Sequence, residues 1–188
     1  WLERQASDIE NSALMLAAAG TPDFFNYSSR LYGKPLDVLP DEVSTSHAMA
    51  TQFDGLLGSF SNLDLGAPAA ACHLAHGVAA DIEQAAINMF GTEAPKVLVV
   101  DELSANALAG PTRVRIRRTA CFTDKDIKQL IEHEVYIHVA TALNGLAQTD
   151  LKILGAGHPG TTKTQEGLAV FAEFITGSMD LDRMRRLA

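Results

Sequence analysis

Two histidines five residues apart, in the stretch IEHEVYIHVA (131–140), constrain the local fold of this chain more than any other feature. In a regular α-helix, at about 100° per residue, a spacing of five turns the second side chain about 140° away from the first. A π-turn, with its i to i+5 hydrogen bond, stacks residues five apart instead, and such turns are frequent at functional sites. If His133 and His138 act together, the sequence therefore predicts a widened helix between them.

The composition indicates a globular protein and excludes two classes of partner. The chain has 188 residues, of which 47% are hydrophobic and 20% charged, enough for one domain with a substantial core. A net charge of -8 argues against nucleic acid as the main partner, because phosphate binding needs clustered positive charge. No apolar run approaches the roughly 20 residues that a membrane-spanning helix needs, so we expect no membrane partner.

The cysteine content and the two ends of the chain bear on its cellular setting. Cys72 and Cys121 are the two cysteines, too few for a disulfide scaffold or a thiolate zinc site. They favour a reducing, cytoplasmic compartment, although one disulfide stays open. The chain starts at Trp1 without a signal-peptide pattern and stops within the helical pattern MDLDRMRRLA. We therefore interpret residues 1–188 as a fragment of a longer protein that forms a single domain.

Helical patterns dominate the chain. We predict helices over 2–19, 46–57, Pro68 to about Phe90, a segment capped by Thr123 or Asp124 that contains both histidines, and 165–177. The stretch PDFFNYSSRLYGKPLDVLP (22–40) and the glycine-rich GAGHPGTTKT (155–164) are interpreted as loops.

Two stretches have the character of β-strands. KVLVVD (96–101) is a continuous apolar run, and TRVRIRR (112–118) alternates with a period of two. In the second, Val114 and Ile116 face one side, and Arg113, Arg115 and Arg117 face the other. The expected fold class is α+β, predominantly helical with a small β-sheet.

The histidine pair has the residue types of a zinc site. Zinc prefers nitrogen and oxygen ligands, and Glu134 follows His133 directly, where zinc peptidases with the H-E-x-x-H motif carry their general base. The best candidate for a third ligand is Glu166, at the start of the next helix, and Gly167 beside it would remove side-chain bulk near a crowded metal. Glu173 is an alternative two turns along the same helix; two others are Asp126 and Glu132, which are more typical of a solvated helix face.

Other histidines show that such pairs also arise without a metal. Two histidines near one another on a helix are usually surface residues or satisfied core residues. We interpret His73 and His76 of the stretch HLAH in this way, because they lie on an Ala-rich helix pattern without a neighbouring acid. His47 is interpreted as a residue at the start of a helix.

The stretches HEVYIH and HPGTTKTQEGLAVFAEF carry a family resemblance. The chain resembles the bacterial QEGLA-motif proteins, often labelled modulators of flavohaemoglobin expression. These are similar to the animal microtubule-associated tyrosine carboxypeptidases, which are zinc metallopeptidases. The resemblance is strongest over 97–188 and weaker through FNYSSRLYGKP. It implies a zincin-like metallopeptidase core with an H-E-x-x-x-H helix, and family members that continue beyond the RRLA at which this chain stops.

The resemblance also implies a site and a mechanism. One zinc ion would be held by His133, His138 and Glu166, and Glu134 would be the catalytic base and then acid. His158, in the loop before Glu166, is the candidate for a second electrophile at the oxyanion. Tyr136 is the alternative, although we interpret it more readily as a packing residue.

The implied reaction is hydrolysis of a C-terminal peptide bond in a peptide or protein. The substrate carboxylate then needs a cation, and the candidates are Arg113, Arg115 and Lys163. The arginine strand would align a peptide by β-augmentation, or it is a solvated edge that prevents aggregation. The competing hypotheses are a regulatory or binding protein with a structural zinc and hydrolysis of a non-peptide amide. Glu134 favours the enzyme, since a structural site needs ligands only and is normally closed by four.

Overall fold

The computed structural model describes residues 1–60 and 72–187. Within these ranges the chain forms two compact units, one of residues 1–60 and 181–187 and the other of residues 72–180. The architecture is mostly helical with a small sheet, which confirms the α+β class. No helix in the described ranges combines the length and apolar character needed to cross a membrane. The prediction that residues 1–188 form one catalytic domain stays a prediction.

The first unit is entirely helical. It contains α1 (Leu2–Ala17), α2 (Asp23–Tyr32), α3 (Ser46–Phe60) and α8 (Leu181–Leu187). Helix α1 packs on α2, and an ion pair of 3.3 Å between Arg185 Nε and Asp54 Oδ1 joins α8 to α3.

Helix α2 corrects the loop prediction for residues 22–40. The helix begins after Pro22 and ends at Gly33, whose φ of 81° is one that glycine adopts without strain. Proline at the start and glycine at the end are helix boundary signals. The sequence interpretation counted them as turn residues, so it missed the ten-residue helix between them.

The second unit is built on a three-stranded sheet. Its strands are β2 (Lys96–Val100), β3 (Ala107–Ala109) and β4 (Arg113–Arg117), in the order β2-β4-β3. Strand β4 runs parallel to β2 and antiparallel to β3. A second, two-stranded ladder pairs β1 (His73–Leu74) with β5 (Cys121–Phe122).

The faces of β4 confirm the predicted alternation, but its position does not fit the edge interpretation. Val114 and Ile116 are fully buried, while the arginine side chains lie on the opposite, more exposed face. Because β2 and β3 pair with both sides of β4, this strand is the centre of the sheet. It is therefore neither a solvated edge nor a strand to which a peptide can be added. The edge strands of this sheet are β2 and β3, and the sequence interpretation did not predict β3.

The core of the second unit lies between this sheet and two helices. Helix α4 (Ala75–Phe90) and the helix that contains the histidine pair supply the other side chains. The most buried members of this core are Val78, Ile82, Val114, Ile116, Phe122, Val135 and Val139. Gly91 (φ 57°) ends α4 as predicted, and the predicted start at Pro68 lies outside the described residues.

A disulfide joins Cys72 and Cys121, whose Cα atoms are 5.2 Å apart. It links the chain at the start of β1 to β5, across a sequence separation of 49 residues. The sequence had left one disulfide open. Its presence removes the reason for preferring a reducing compartment, and the cytoplasmic location stays a prediction.

The helix that carries His133 and His138 is continuous, but its backbone hydrogen bonding changes midway. It consists of α5 (Asp124–Leu130), a π-helix (Ile131–Val139) and α6 (Ala140–Leu146). Thr123 is the N-cap: its Oγ1 accepts a hydrogen bond from Asp126 N at 3.1 Å, and Asp126 Oδ2 accepts one from Thr123 N at 2.9 Å. This reciprocal capping box fixes where the helix begins.

Helix α7 (Pro159–Ile175) starts six residues earlier than the predicted 165. His158 is its N-cap, with Nδ1 accepting a hydrogen bond from Gly160 N at 2.9 Å, and Pro159 occupies the first turn. A short 3₁₀-helix (Lys152–Gly155) precedes it. The loop prediction for 155–164 is therefore wrong over most of its length, because glycine and threonine in the first turn masked the helix.

We expect the substitution Thr123→Ala to lower the free energy of unfolding by about 1 kcal/mol, because it removes the N-cap of the helix that leads into the π-segment. Chemical denaturation measures this difference. The matched control is Thr119→Ala, an exposed threonine in the preceding turn, which we expect to leave stability unchanged. Equal stabilities for the two variants would contradict the capping role.

Candidate metal centre

The π-helix brings the two histidines together as their spacing predicts. Residues Ile131–Val139 adopt i to i+5 geometry, and the ring centroids of His133 and His138 lie 4.8 Å apart in an edge-to-face arrangement. Val135 and Val139 of the same segment are fully buried in the core. The apolar side of the widened helix is thus anchored, and both imidazoles are directed towards α7.

Glu166 completes a three-residue group. Its Oε2 lies 3.5 Å from His133 Nε2, and its Oε1 lies 3.5 Å from His138 Nε2. One donor atom from each residue can be chosen so that all three lie within 4.8 Å of one another. No second group of His, Cys, Asp and Glu side chains with this geometry occurs in residues 1–60 and 72–187.

This donor set fits zinc. Donors of a tetrahedral site with bonds of about 2.0–2.1 Å are separated by about 3.3 Å, and each imidazole lies 3.5 Å from a different oxygen of Glu166. Two imidazole nitrogens and one carboxylate oxygen leave a fourth position of the tetrahedron without a protein ligand. The His133 side chain is 9% exposed and that of Glu166 is 55% exposed, so the group opens to solvent on the Glu166 side.

Glu173 and Gln165 contact the Nδ1 atoms of the two histidines, and Gln129 contacts Glu173. Glu173 Oε1 is 2.6 Å from His133 Nδ1, and the Glu173 side chain is fully buried. Gln129 Nε2 donates to the same oxygen at 3.3 Å. Gln165 Oε1 is 3.3 Å from His138 Nδ1. Glu173, considered from the sequence as an alternative ligand, therefore contacts the far side of the ring and not the space between the two histidines.

The pKa of His133 reflects this crowded environment. Burial disfavours the charged imidazolium, but the hydrogen bond to Glu173 and the negative charges of Glu134, Glu173 and Glu166 outweigh it. The net result is a pKa above the ordinary value of 6.5. The carboxylates thus make the neighbourhood favourable for positive charge, as a cation site requires.

Glu134 is placed beside this group and is held by the sheet. Its Oε2 accepts a hydrogen bond of 3.1 Å from the backbone N–H of Ala109, at the edge of β3. The side chain is half-buried and lines the same cavity as His133, His138 and Glu166. The carboxylate is therefore fixed beside the candidate metal ligands without belonging to the three-residue group.

The cavity has a volume of about 440 Å³ and is lined mostly by small side chains. The edge strand and its following turn form one wall, and the segment before α7 forms another. Its lining residues are Ala105, Ala107, Leu108, Ala109, Gly110, Pro111, His133, Glu134, His138, Thr141, Ala142, Leu154, Gly155, Ala156, Gly157, Gln165 and Glu166. The sequence interpretation missed both walls, since short runs of alanine and glycine carry no periodic signal.

Two glycines let the second wall approach α6. A Cβ added at Gly145 would lie 2.2 Å from Leu154 O, and one added at Gly155 would lie 2.6 Å from Leu146 Cγ. Such distances are too short for a Cβ, since Gly145 packs directly on the backbone of Leu154 and Gly155 packs on the side chain and backbone of Leu146. The packing of α6 against this segment therefore sets the position of residues 154–157, which line the cavity.

Several predicted site residues lie elsewhere. His158 uses its Nδ1 to cap α7, and Lys163 is exposed on the same helix. Arg113 and Arg115 lie on β4. None of these four residues lines the cavity. Their predicted roles stay predictions, but the structure does not bring them to the histidine pair.

The alternative ligands and packing residues have other places. Asp126 caps α5, Glu132 is half-buried on the π-helix, and neither lines the cavity. Tyr136 packs against the core, in accord with the packing interpretation. A Cβ at Gly167 would meet no protein atom within 4 Å, and the expected relief of crowding around a metal stays a prediction.

The remaining histidines have local partners. His73 Nε2 lies 2.6 Å from Asp124 Oδ1, and His76 Nε2 lies 3.2 Å from Arg118 Nη1. His73 belongs to β1 rather than to the predicted helix, and an acid does stand beside it in space. His47 lies in the first turn of α3, as predicted.

We expect Gly145→Ala to destabilise the protein by about 1–3 kcal/mol, because the new methyl group overlaps the backbone of residue 154. The 154–157 wall must move to make room for this methyl group, which disturbs its packing against α6. Gly77→Ala is the matched control, since a Cβ there meets no atom within 4 Å. Thermal unfolding measures the difference, and an equally stable Gly145 variant would contradict the close contact.

Comparison with known proteins agrees with the resemblance carried by the two motifs. The family model for microtubule-associated tyrosine carboxypeptidase matches residues 1–188, the whole length of the chain. No curated protein and no solved structure gives a significant match. The relation to tyrosine carboxypeptidases is thereby confirmed, whereas the link to the bacterial QEGLA-motif proteins stays a prediction.

Proposed function

The chain belongs to the microtubule-associated tyrosine carboxypeptidase family, and from this premise we propose that it is a zinc-dependent metallopeptidase that removes residues from the C-terminus of a peptide or protein. The observation that carries the proposal is the position of Glu134. Its carboxylate lies in one cavity with a three-residue donor group to which it does not belong. A site that only binds metal has no need of this additional acid.

His133, His138 and Glu166 would hold the metal in this proposal. When bound, zinc would supply Lewis-acid chemistry, which polarises a carbonyl and lowers the pKa of a water molecule. The H-E-x-x-x-H helix supplies two ligands from a π-segment, and α7 supplies the third. Ligands from one helix with a third from the next support the zincin-like core that the resemblance implies.

Glu134 would act as general base and then as general acid. It takes the proton from the attacking water and delivers it to the amine of the departing residue. The Ala109 N–H that binds its Oε2 restricts the rotation of the carboxylate, so that the other oxygen is left for the water. This fixed orientation supports a catalytic role, because proton transfer depends on hydrogen-bonding geometry.

The free edge of β3 supports a peptide as the substrate. Arg117 N donates to Asn106 O and Gly110 N donates to Arg113 O, so the alternate residues Ala107 and Ala109 direct their backbone groups away from β4. These groups face the cavity, and Ala109 N–H already binds Glu134 there. An extended peptide would find hydrogen-bonding partners along this edge. In this proposal β3 aligns the peptide by β-augmentation, the role that the sequence analysis considered for the arginine strand β4.

Removal of a C-terminal residue also needs a cation for the terminal carboxylate. Among the described residues that line the cavity, none is Arg or Lys. Lys163, Arg113 and Arg115 stay predictions for this role, together with His158 for stabilising the oxyanion. The carboxypeptidase assignment therefore rests on the family, and the site geometry supports peptide hydrolysis more generally.

The alternative of a structural zinc in a regulatory protein fits these observations less well. A structural site is normally closed by four protein ligands and shielded from solvent. Here three candidates are found, Glu166 is more than half exposed, and the group faces a cavity.

We expect Glu134→Gln to lower peptide hydrolysis by about 10²- to 10⁴-fold, the contribution typical of a general base, while zinc content stays that of the wild type. Release of C-terminal residues from a mixed peptide pool, followed by mass spectrometry, measures the activity. Glu132→Gln makes the same chemical change on the same π-helix but outside the cavity, and it should retain activity. Equal activity in the Glu134 variant and the wild type would exclude the proposed mechanism.

A further inference from the structure

Helix α7 presents three side-chain oxygen groups to the two imidazole rings. Glu166 faces the Nε2 atoms of both rings, Gln165 Oε1 is 3.3 Å from His138 Nδ1, and Glu173 Oε1 is 2.6 Å from His133 Nδ1. Gln165 and Glu166 thus contact the two nitrogens of the same ring from adjacent positions. Glu173 is seven residues beyond Glu166, or about two turns, and so lies on the same side of the helix.

We propose that Glu173 and Gln165 are positioning residues that hold both histidines in one tautomer, with the proton on Nδ1 and with Nε2 free to bind metal. The inference rests on the metal site of the proposed function. The inference goes beyond the proposed function because it assigns a positioning role to Glu173 and Gln165, which do not belong to the three-residue donor group.

The contact between Glu173 and His133 is the stronger of the two. An ionised carboxylate can only accept hydrogen bonds, so a distance of 2.6 Å requires the proton on His133 Nδ1. Glu173 is fully buried, and Gln129 Nε2 donates to the same oxygen from α5 at 3.3 Å. A buried carboxylate is costly unless it is paired, so both neighbours keep Glu173 in place. The His133 ring is fixed in turn, with Nε2 directed at Glu166.

The contact between Gln165 and His138 is weaker and neutral. The distance is 3.3 Å, and both side chains are half-buried. A glutamine can present its amide oxygen or its nitrogen to the ring, so it directs the tautomer less strictly than a carboxylate. We therefore expect His133 to be the better ordered ring and the more basic ligand, since a carboxylate behind an imidazole raises its electron density at the metal.

The two contacts have a consequence for the π-helix. Its unusual register brings the rings within 4.8 Å of one another, but it does not determine which nitrogen of each ring faces the cavity. That choice is made by acceptors on α7 and by Gln129 on α5, outside the π-segment itself. The donor geometry is thereby prepared before a metal arrives, which reduces the cost of ordering the ligands on binding.

The first test is the tautomer of each ring, read from two-bond ¹H–¹⁵N NMR spectra of the metal-free protein at alkaline pH, where both rings are neutral. In the wild type we expect both histidines to carry the proton on Nδ1. Glu173→Gln should turn His133 into a mixture of tautomers and leave His138 unchanged. Gln165→Leu should do the reverse, and the control Glu132→Gln should alter neither ring.

The second test is zinc affinity, measured by competition with a chromogenic chelator. We expect Glu173→Gln to weaken binding by about 10- to 100-fold, Gln165→Leu to weaken it less, and Glu132→Gln to leave it unchanged. A wild type with protons on Nε2, or a Glu173 variant with wild-type tautomers and affinity, would overturn the inference. The NMR result decides it even if the wild type binds no zinc, an outcome that would count against the proposed function alone.

Discussion

The i to i+5 hydrogen bonding of the π-helix Ile131–Val139 is the constraint on which the site depends. Without it, His133 and His138 would point in directions about 140° apart, and Glu166 could not face both. π-Helices are rare, so the surrounding structure must hold this one in place. Regular helices flank it, Thr123 caps the first of these helices, α5, and the fully buried Val135 and Val139 anchor the apolar side of the π-helix. The distortion is thus confined to the turns that carry the ligands.

Three elements meet at this segment, and each supplies a different chemical property. Helix α7 brings the acidic and amide oxygens, the edge strand β3 brings backbone hydrogen-bonding groups, and the glycine contact between α6 and residues 154–157 shapes the cavity wall. Solvent exposure of the side chains increases across the site, from the fully buried carboxylate of Glu173 through the imidazoles to the exposed Glu166. The orientation of the His133 ring is therefore determined deep in the protein, whereas Glu166 lies on the solvent side of the three-residue group.

The sequence predicted the parts of this arrangement that carry a periodic or spacing signal. The π-turn followed from the spacing of five positions from His133 to His138, and the buried face of β4 followed from alternation. Helix α2 and the first turn of α7 were missed because proline and glycine at helix ends were taken as loop signals. Strand β3 has three residues, two of them alanine, and is too short to show a periodic pattern. Because it was missed, the arginine strand β4 was interpreted as a possible edge strand, although it is the central one. The role of Glu173 was open because spacing along α7 does not distinguish a ligand from a residue behind a ligand.

The most direct test of the central idea, that the two histidines of the π-helix and Glu166 bind one zinc ion, is the metal content of the protein after dialysis against a weak chelator. Plasma mass spectrometry should find about one zinc per chain in the wild type and a clear loss in Glu166→Ala, because two imidazoles alone bind zinc weakly. Glu3→Ala, an exposed acid in α1, should retain the metal. A folded wild type that keeps no metal, or a Glu166 variant that keeps all of it, would contradict the account.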